Sequence, residues 1–262
     1  MITGKTRIYG ILADPIYHVK TPELMAEVFR ENGVDAVLVP LHVKAENLRS
    51  VVDGLRKQEN FGGFIATVPH KTAMLELSDE LTLQAQQIGA VNCVRRNQDG
   101  SMSGAMLDGI GFIEGLRLQG RNVQGKSVVM HGAGGAACAI AFALAEAGVA
   151  HISILNRTTD KAEQLCARIK DHYPTLSLDV NTDRFERHDV VINATSLGMR
   201  SDDPLPFSSD QLQPHQLVCE IIMEPEHTPL LKTAAEKGCS IHFGKPMLAS
   251  QIRLMAQHMG AI

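Results

Sequence analysis

The chain has 262 residues, 44% hydrophobic and 21% charged, with 22 Gly; that balance excludes a disordered or fibrous chain and fits one large domain or two modest ones. Aromatic residues are scarce, at 8 Phe, 3 Tyr and no Trp, which favours helices packed on sheet over an all-β sandwich. With 25 Lys and Arg against 29 Asp and Glu, the formal net charge of -4 gives nucleic acid or an anionic membrane no electrostatic attraction, so the expected partner is a small molecule.

In chain order, Arg7 to Leu12 reads as a strand, Pro22 to Glu31 as a helix, Ala36 to Leu41 as a strand, Ala45 to Lys57 as a helix and Gly63 to Val68 as a strand. Such alternation predicts a parallel sheet with helices on its faces, because a parallel crossover needs about a dozen residues to return. Asn97-Gln98-Asp99-Gly100 then marks a turn between two short extended segments, and a domain boundary is expected just after it. A second alternating series follows: helix Gly109 to Leu118, strand Ser127 to His131, helix Gly135 to Ala147, strand His151 to Leu155 and helix Thr159 to Asp171, with later strands Val190 to Ala194 and Leu217 to Ile221. The last helix, Met247 to His258, carries Ile252, Met255, Ala256 and Met259 at helical spacing. The five cysteines are scattered and never form a C-x-x-C pair, so neither a disulfide framework nor a zinc site is expected. No basic segment followed by an apolar run opens the chain, and no apolar stretch reaches the roughly 18 residues of a membrane span. A reduced, cytoplasmic α/β protein is the expectation.

The strongest local signal is Gly132-Ala133-Gly134-Gly135-Ala136-Ala137, placed between a β-rich run and an Ala-rich helix. This is G-x-G-x-x-A in the strand, turn, helix setting of a dinucleotide site. Gly132 allows the tight turn, Gly134 lets the backbone approach a pyrophosphate, and Ala137 keeps the helix close to the sheet. A glycine-rich turn can also serve packing alone. The next strand ends at Asn156-Arg157-Thr158, where an NAD site usually places a carboxylate for the ribose diol. None is present, and Arg157, with Thr158 and Lys161, offers a planar donor fork and a hydroxyl to a 2′-phosphate. The cofactor read from these residues is NADP, with NAD as the alternative.

Pro15-Ile16-x-His18, Thr67-Val68-Pro69-His70-Lys71, Ala90-Val91-Asn92, Asp108-Gly109, the glycine-rich turn, Asn156-Arg157-Thr158, Asn193-Ala194-Thr195-Ser196-Leu197-Gly198-Met199, Thr228-Pro229-Leu230-Leu231 and Gly244-x-x-Met247-Leu248-x-x-Gln251 follow one another along the chain. In that order they resemble the shikimate/quinate dehydrogenase family over nearly the whole length. The resemblance implies a substrate domain of residues 1–105 completed by 243–262, a Rossmann domain of residues 106–242, and a catalytic cleft between the two. It also implies reversible hydride transfer between NADP(H) and a cyclic hydroxy acid or its ketone. Lys71 and Asp108 take the place of the catalytic pair, and alcohol oxidation does need a group to accept the hydroxyl proton as hydride leaves. Thr21, Thr67, Asn92 and Gln251 match substrate contacts; Asn193, Thr195, Ser196 and Met199 match the nicotinamide border, and Gly244 joins the cofactor set. The same types have structural uses: Lys71 as a solvent-facing residue, Asp108 as a helix cap, Asn92 as a turn former and Thr67 as an ordinary strand residue. A homodimer is compatible with the pattern.

The chain departs from the family where substrate polar groups are expected. His18-Val19-Lys20-Thr21-Pro22 replaces Ser-x-Ser-Pro, so Val19 donates no hydrogen bond while Thr21 still can. Ile65 stands for an Asn, Met106-Leu107 for Asn-Thr, and Met223 for a Tyr. Each hydrogen bond lost to a charged group costs about 1.5–3 kcal/mol, so activity on shikimate is expected to fall and the substrate to be a less polar analogue unless Lys20 or His18 binds the carboxylate. Met in such places also serves as a core filler. A competing function, a nucleotide sensor without efficient chemistry, leaves the retained Lys71 and Asp108 without a use.

Overall fold

A computed structural model describes residues 2–17, 19–181 and 184–262; His18, named above for the substrate carboxylate, lies outside the described residues. The chain packs as two units, Met1–Leu107 with Gln251–Ile262, and Asp108–Ser250.

The first unit holds β1 (Arg7–Ala13), α1 (Thr21–Glu31), β2 (Ala36–His42), α2 (Leu48–Arg56), β3 (Phe61–Ala66), α3 (Met74–Leu77), β4 (Glu80–Leu81), α4 (Leu83–Ile88), β5 (Cys93–Arg96) and β6 (Met102–Ala105). Its sheet runs β2-β1-β3-β5-β6-β4. Parallel pairing joins β1 to β2 and β3, whereas β5 runs antiparallel to β3 and β6. The turn at 97–100 is the hairpin between β5 and β6, which interrupts the parallel order. Helix α1 places Pro22 in its first turn, where a missing amide costs nothing, and buries Met25 and Phe29 four residues apart. In α2 the buried Leu48, Val52 and Leu55 form the equivalent stripe. All six residues of β3 are buried, as a central strand covered on both faces requires. It ends at Ala66, earlier than the Val68 expected from the apolar run, so Thr67 to Lys71 form a turn.

The second unit holds α5 (Asp108–Leu118), β7 (Ser127–His131), α6 (Gly135–Glu146), β8 (His151–Leu155), α7 (Thr159–His172), β9 (Ser177–Val180), β10 (Val190–Asn193), β11 (Leu217–Glu220), α8 (Pro229–Glu236), β12 (Ser240–His242) and the start of α9 (Lys245–His258). All its strands pair in parallel in the order β12-β11-β10-β7-β8-β9. From β7 outward this is the 3-2-1-4-5-6 arrangement of a doubly wound nucleotide fold. Helix α6 is apolar on every side, with Ala137 and residues 139–145 buried, because it is sandwiched between the sheet and α5. The close approach is visible at Gly109 of α5, where any Cβ would run into the Ala139 carbonyl.

Helix α9 serves both units. Its first turn stays with the second, where Pro246 lies 2.9 Å from the position of a Cβ on Gly115. Further along, Met255 accepts from the Cys93 thiol at 3.7 Å and His258 Nε2 donates to the Ser103 carbonyl at 3.0 Å, both within the first unit. By packing, the return therefore falls at Gln251, later than the 243 expected from sequence. No helix among the described residues is long and apolar enough to cross a membrane.

Candidate active site

In the first unit, strand direction gathers the carboxyl ends of β1, β2, β3 and β6 and the amino end of β5 at one edge of the sheet. The turn after β3 is pinned there by its main chain. Thr67 donates to the Leu12 carbonyl (3.0 Å), His70 donates to the Thr67 carbonyl (2.8 Å), and Val68 accepts from the Asp14 amide (3.1 Å). Buried His70 donates Nε2–H to the Val43 carbonyl at 2.8 Å, tying the residue before Lys71 to the end of β2. The Lys71 carbonyl accepts from Val91 at 2.9 Å, and its side chain is half-buried. Asn92 is buried, and its Oδ1 accepts from the Leu107 amide at 2.9 Å. That oxygen therefore fixes the segment just before Asp108. Asp108 itself is buried and opens α5 in the second unit. Thr21 is half-buried at the start of α1, and Gln251 is buried in α9.

The apolar departures divide in two. Ile65, Met106 and Leu107, 3%, 1% and 8% exposed, belong to the core, so packing accounts for them, whereas Met223 is exposed. Val19 is half-buried in the loop between β1 and α1, beside Tyr17, which is 87% exposed. Val68, in the turn bonded to that loop, is 63% exposed. Apolar surface thus stands at the strand-end edge beside Thr67, a feature the sequence reading missed for Tyr17.

In the second unit, β7 and β10 lie side by side at the switch point of the sheet, where open α/β sheets take their ligands. Gly132 has φ +122°, and a Cβ there would sit 2.7 Å from the Ala194 carbonyl oxygen; this glycine is demanded by the fold. Gly134 and Gly135 differ. A Cβ on either meets nothing within 4 Å, and Gly134 at φ -84° is in a conformation open to any residue. Their bareness answers to no neighbour in the chain, and it leaves the first-turn amides of α6 clear for an anion. Ala133 and Ala136 flank them, half-buried, and Ala137 is fully buried against the sheet.

At the end of β8, Asn156 is half-buried; its amide donates to Asn181 Oδ1 (3.0 Å) and its Nδ2 to the Thr158 carbonyl (2.8 Å). That holds the tip in shape and leaves Arg157 and Thr158 exposed. At the end of β10, Asn193 is wholly buried. Its Oδ1 accepts from Thr195 N (3.1 Å) and Oγ1 (2.7 Å), while Nδ2 donates to the Leu197 carbonyl and to both oxygens of Glu220. Asn193 therefore shapes the loop, and Ser196 and Met199 are its exposed members. Gly244 is buried, and a Cβ there would run into the Ile222 carbonyl. Glu220 was not singled out from sequence, where its only signal is a carboxylate closing the apolar run Leu217-Val218-Cys219, and Thr228 was named only within the Thr228-Pro229-Leu230-Leu231 segment. Burial pushes the Glu220 carboxyl up, against the pull of its hydrogen-bond donors.

Bare glycines before a helix start, an exposed guanidinium at the second strand tip and open main-chain amides fit a dinucleotide bearing a 2′-phosphate. Residues 11–94 match the family model of the shikimate dehydrogenase substrate binding domain, and residues 116–199 that of shikimate / quinate 5-dehydrogenase. A shikimate dehydrogenase (NADP(+)) of Alkaliphilus metalliredigens is 35% identical over 95% of this chain and 90% of its own length. Among solved structures, a shikimate dehydrogenase in complex with NADP+ is 33% identical with a TM-score of 0.93, covering 100% of this chain and 92% of its own. The ligand-free 5-ketofructose reductase of Gluconobacter sp. strain CHM43 is also 33% identical, with a TM-score of 0.90 over 97% of this chain and 93% of its own. The sheet order, the glycine cradle and these matches agree: the chain belongs to the shikimate dehydrogenase family.

Proposed function

We infer that the protein is an NADP-dependent dehydrogenase of shikimate dehydrogenase type, interconverting a secondary alcohol and its ketone. The observation that carries this reading is the pair of glycines at the start of α6 whose missing side chains no neighbour in the chain explains. When bound, NADP accepts or returns the hydride. Gly134, Gly135 and the first-turn amides of α6 would hold its pyrophosphate, Arg157 and Thr158 its 2′-phosphate, and the 195–199 loop with Gly244 its nicotinamide end. Lys71 is the proposed proton-handling group: its neutral amine takes the hydroxyl proton during oxidation, and its ammonium returns it during reduction. Asp108 is proposed to orient that amine and to share the proton. The main-chain bonds that anchor the 67–71 turn hold Lys71 in place at the edge of its sheet, and Asn92 fixes the residue before Asp108.

The substrate proposed is a hydroxy compound with little or no demand for carboxylate recognition. Val19, half-buried in the loop between β1 and α1, replaces a donor. The similarity to a 5-ketofructose reductase, whose named substrate is a ketose without a carboxylate, favours the same reading. Absorbance at 340 nm with NADP+ or NADPH and a panel of shikimate, quinate, their carboxylate-free analogues and 5-ketofructose tests it. The expected result is kcat/KM on the best carboxylate-free compound at least tenfold above that on shikimate, and a 10²- to 10⁴-fold loss in Lys71→Ala with NADP+ affinity unchanged. Efficient, low-KM turnover of shikimate would remove the substrate reading, and normal turnover by Lys71→Ala would remove the catalytic one.

A further inference from the structure

Glu220 closes β11 as a carboxylate with no exposed surface. Its neighbours are all neutral donors. Oε1 accepts from Asn193 Nδ2 (3.1 Å), the Ile221 amide (2.9 Å) and the Ile222 amide (3.2 Å); Oε2 accepts from Asn193 Nδ2 (3.0 Å) and Thr228 Oγ1 (3.1 Å). Thr228 can donate because its hydroxyl oxygen receives the Leu231 amide at 3.3 Å, leaving its proton for Glu220. One side chain thus joins the end of β10, 27 residues back in the chain, to the turn after β11 and the cap of α8. A buried acid held only by donors is costly to place in a protein that gains nothing from it, and hydrophobic residues of similar volume would fill the space without that cost.

The segments it joins border the 195–199 loop and Gly244, which were assigned above to the nicotinamide end of the cofactor. Asn193 hands the constraint on to Thr195 and Leu197. Ile222 and Thr228 lie 3.5 and 3.6 Å from where a Cβ on Gly198 would stand, and the Ile222 carbonyl backs directly onto Gly244. The glycine cradle of α6 and the tip of β8, by contrast, receive no bond from Glu220. We propose that Glu220 is a positioning residue that locks the 195–199 loop, the turn after β11 and the start of α8 into one arrangement, so that the nicotinamide half of the cofactor, and not its adenosine half, depends on it. This rests on the NADP reading given above.

The test compares NADP+ with 2′,5′-ADP, which carries only the adenosine half, by calorimetric titration of the wild type and Glu220→Gln. The expected outcome is NADP+ binding weakened about tenfold and turnover reduced about 10- to 100-fold, the scale of one or two disturbed charged hydrogen bonds, with 2′,5′-ADP affinity changed less than twofold. Asn193→Ala should give the same pattern, and the double variant should lose clearly less than the sum of the two single losses, because the two side chains share a contact. Parallel weakening of NADP+ and 2′,5′-ADP, unchanged NADP+ binding, or additive losses would overturn the proposal. Should Glu220→Gln not accumulate folded, Thr228→Val withdraws one donor and supports the same comparison. Failure of the wild type to bind 2′,5′-ADP would instead refute the NADP reading itself, so the two failures are distinguishable.

Discussion

Arg157 stands exposed at the carboxyl tip of β8, on a turn whose shape is set by Asn156 and Asn181. A guanidinium so placed binds a 2′-phosphate through paired donors, an interaction a neutral ribose diol cannot return. Arg157→Ala should therefore weaken NADP+ by about 10- to 100-fold, the worth of one or two charged hydrogen bonds, while NAD+ shifts less than twofold; fluorescence titration of both cofactors checks it, and an unaltered preference would reject the role. The place of Arg157 at the tip of β8 was legible in the sequence because it follows from the spacing between the glycines and the next strand end. Asn92 and Asn193 were legible as polar residues at strand ends, but not what they bind. Both oxygens turn inward, to the Leu107 amide and to Thr195, because those partners arrive from elsewhere in the chain. Glu220 and His70 escaped for the same reason: a buried polar residue declares itself only through neighbours that folding supplies.

At the scale of elements, the start of α6 separates two kinds of glycine. Gly132→Ala must force a side chain into φ +122° and against the Ala194 carbonyl, which should destabilise the second unit by about 3 kcal/mol or more. Gly134→Ala meets open space. Its stability should drop by no more than about 1 kcal/mol, the cost of Ala for Gly at the N-cap, yet its methyl group would stand where the pyrophosphate approaches and NADP+ affinity should fall at least tenfold. Thermal melts with a cofactor titration on both variants check the contrast; an unstable Gly134→Ala, or one with normal affinity, would contradict it. Strands β7 and β8 were readable to the residue because each is an apolar run closed by a turn former. Strands β9 and β12 were not, being short edge strands with alternating polar residues that need β8 and β11 as templates. Helix α8 carried a readable start, Thr228 capping the Leu231 amide with Pro229 in the first turn, but was quoted only as a motif.

For the whole molecule, the alternation of strand and helix announced two α/β units and the 97–100 turn announced the hairpin β5–β6, while the residue at which α9 passes from one unit to the other depended on contacts that no local pattern encodes. One property of the whole chain follows from its buried histidines. Burial holds His131, His188, His242 and His258 below the ordinary imidazole range, with the neighbouring His151 adding to the effect at His188. His242 goes furthest, to about 4, from burial first and Arg121 second. Its Nδ1–H donates to Gln119 Oε1 at 2.8 Å, its ring packs edge-on against Phe112, and Nε2 is buried with no partner among the described residues. Below the unfolded value of about 6.5, the unfolded chain takes up protons that the folded one refuses, so stability falls as pH drops from 6.5 towards 4. Between pH 7 and 5, His242 alone should remove about 2 kcal/mol. His242→Asn keeps a donor towards Gln119 but has no titrating nitrogen; it should be less stable at pH 7 through the cavity it leaves, and lose about 2 kcal/mol less than the wild type on the way to pH 5. Urea denaturation at both pH values measures this difference, and parallel losses in the two proteins would show that folded His242 accepts its proton freely.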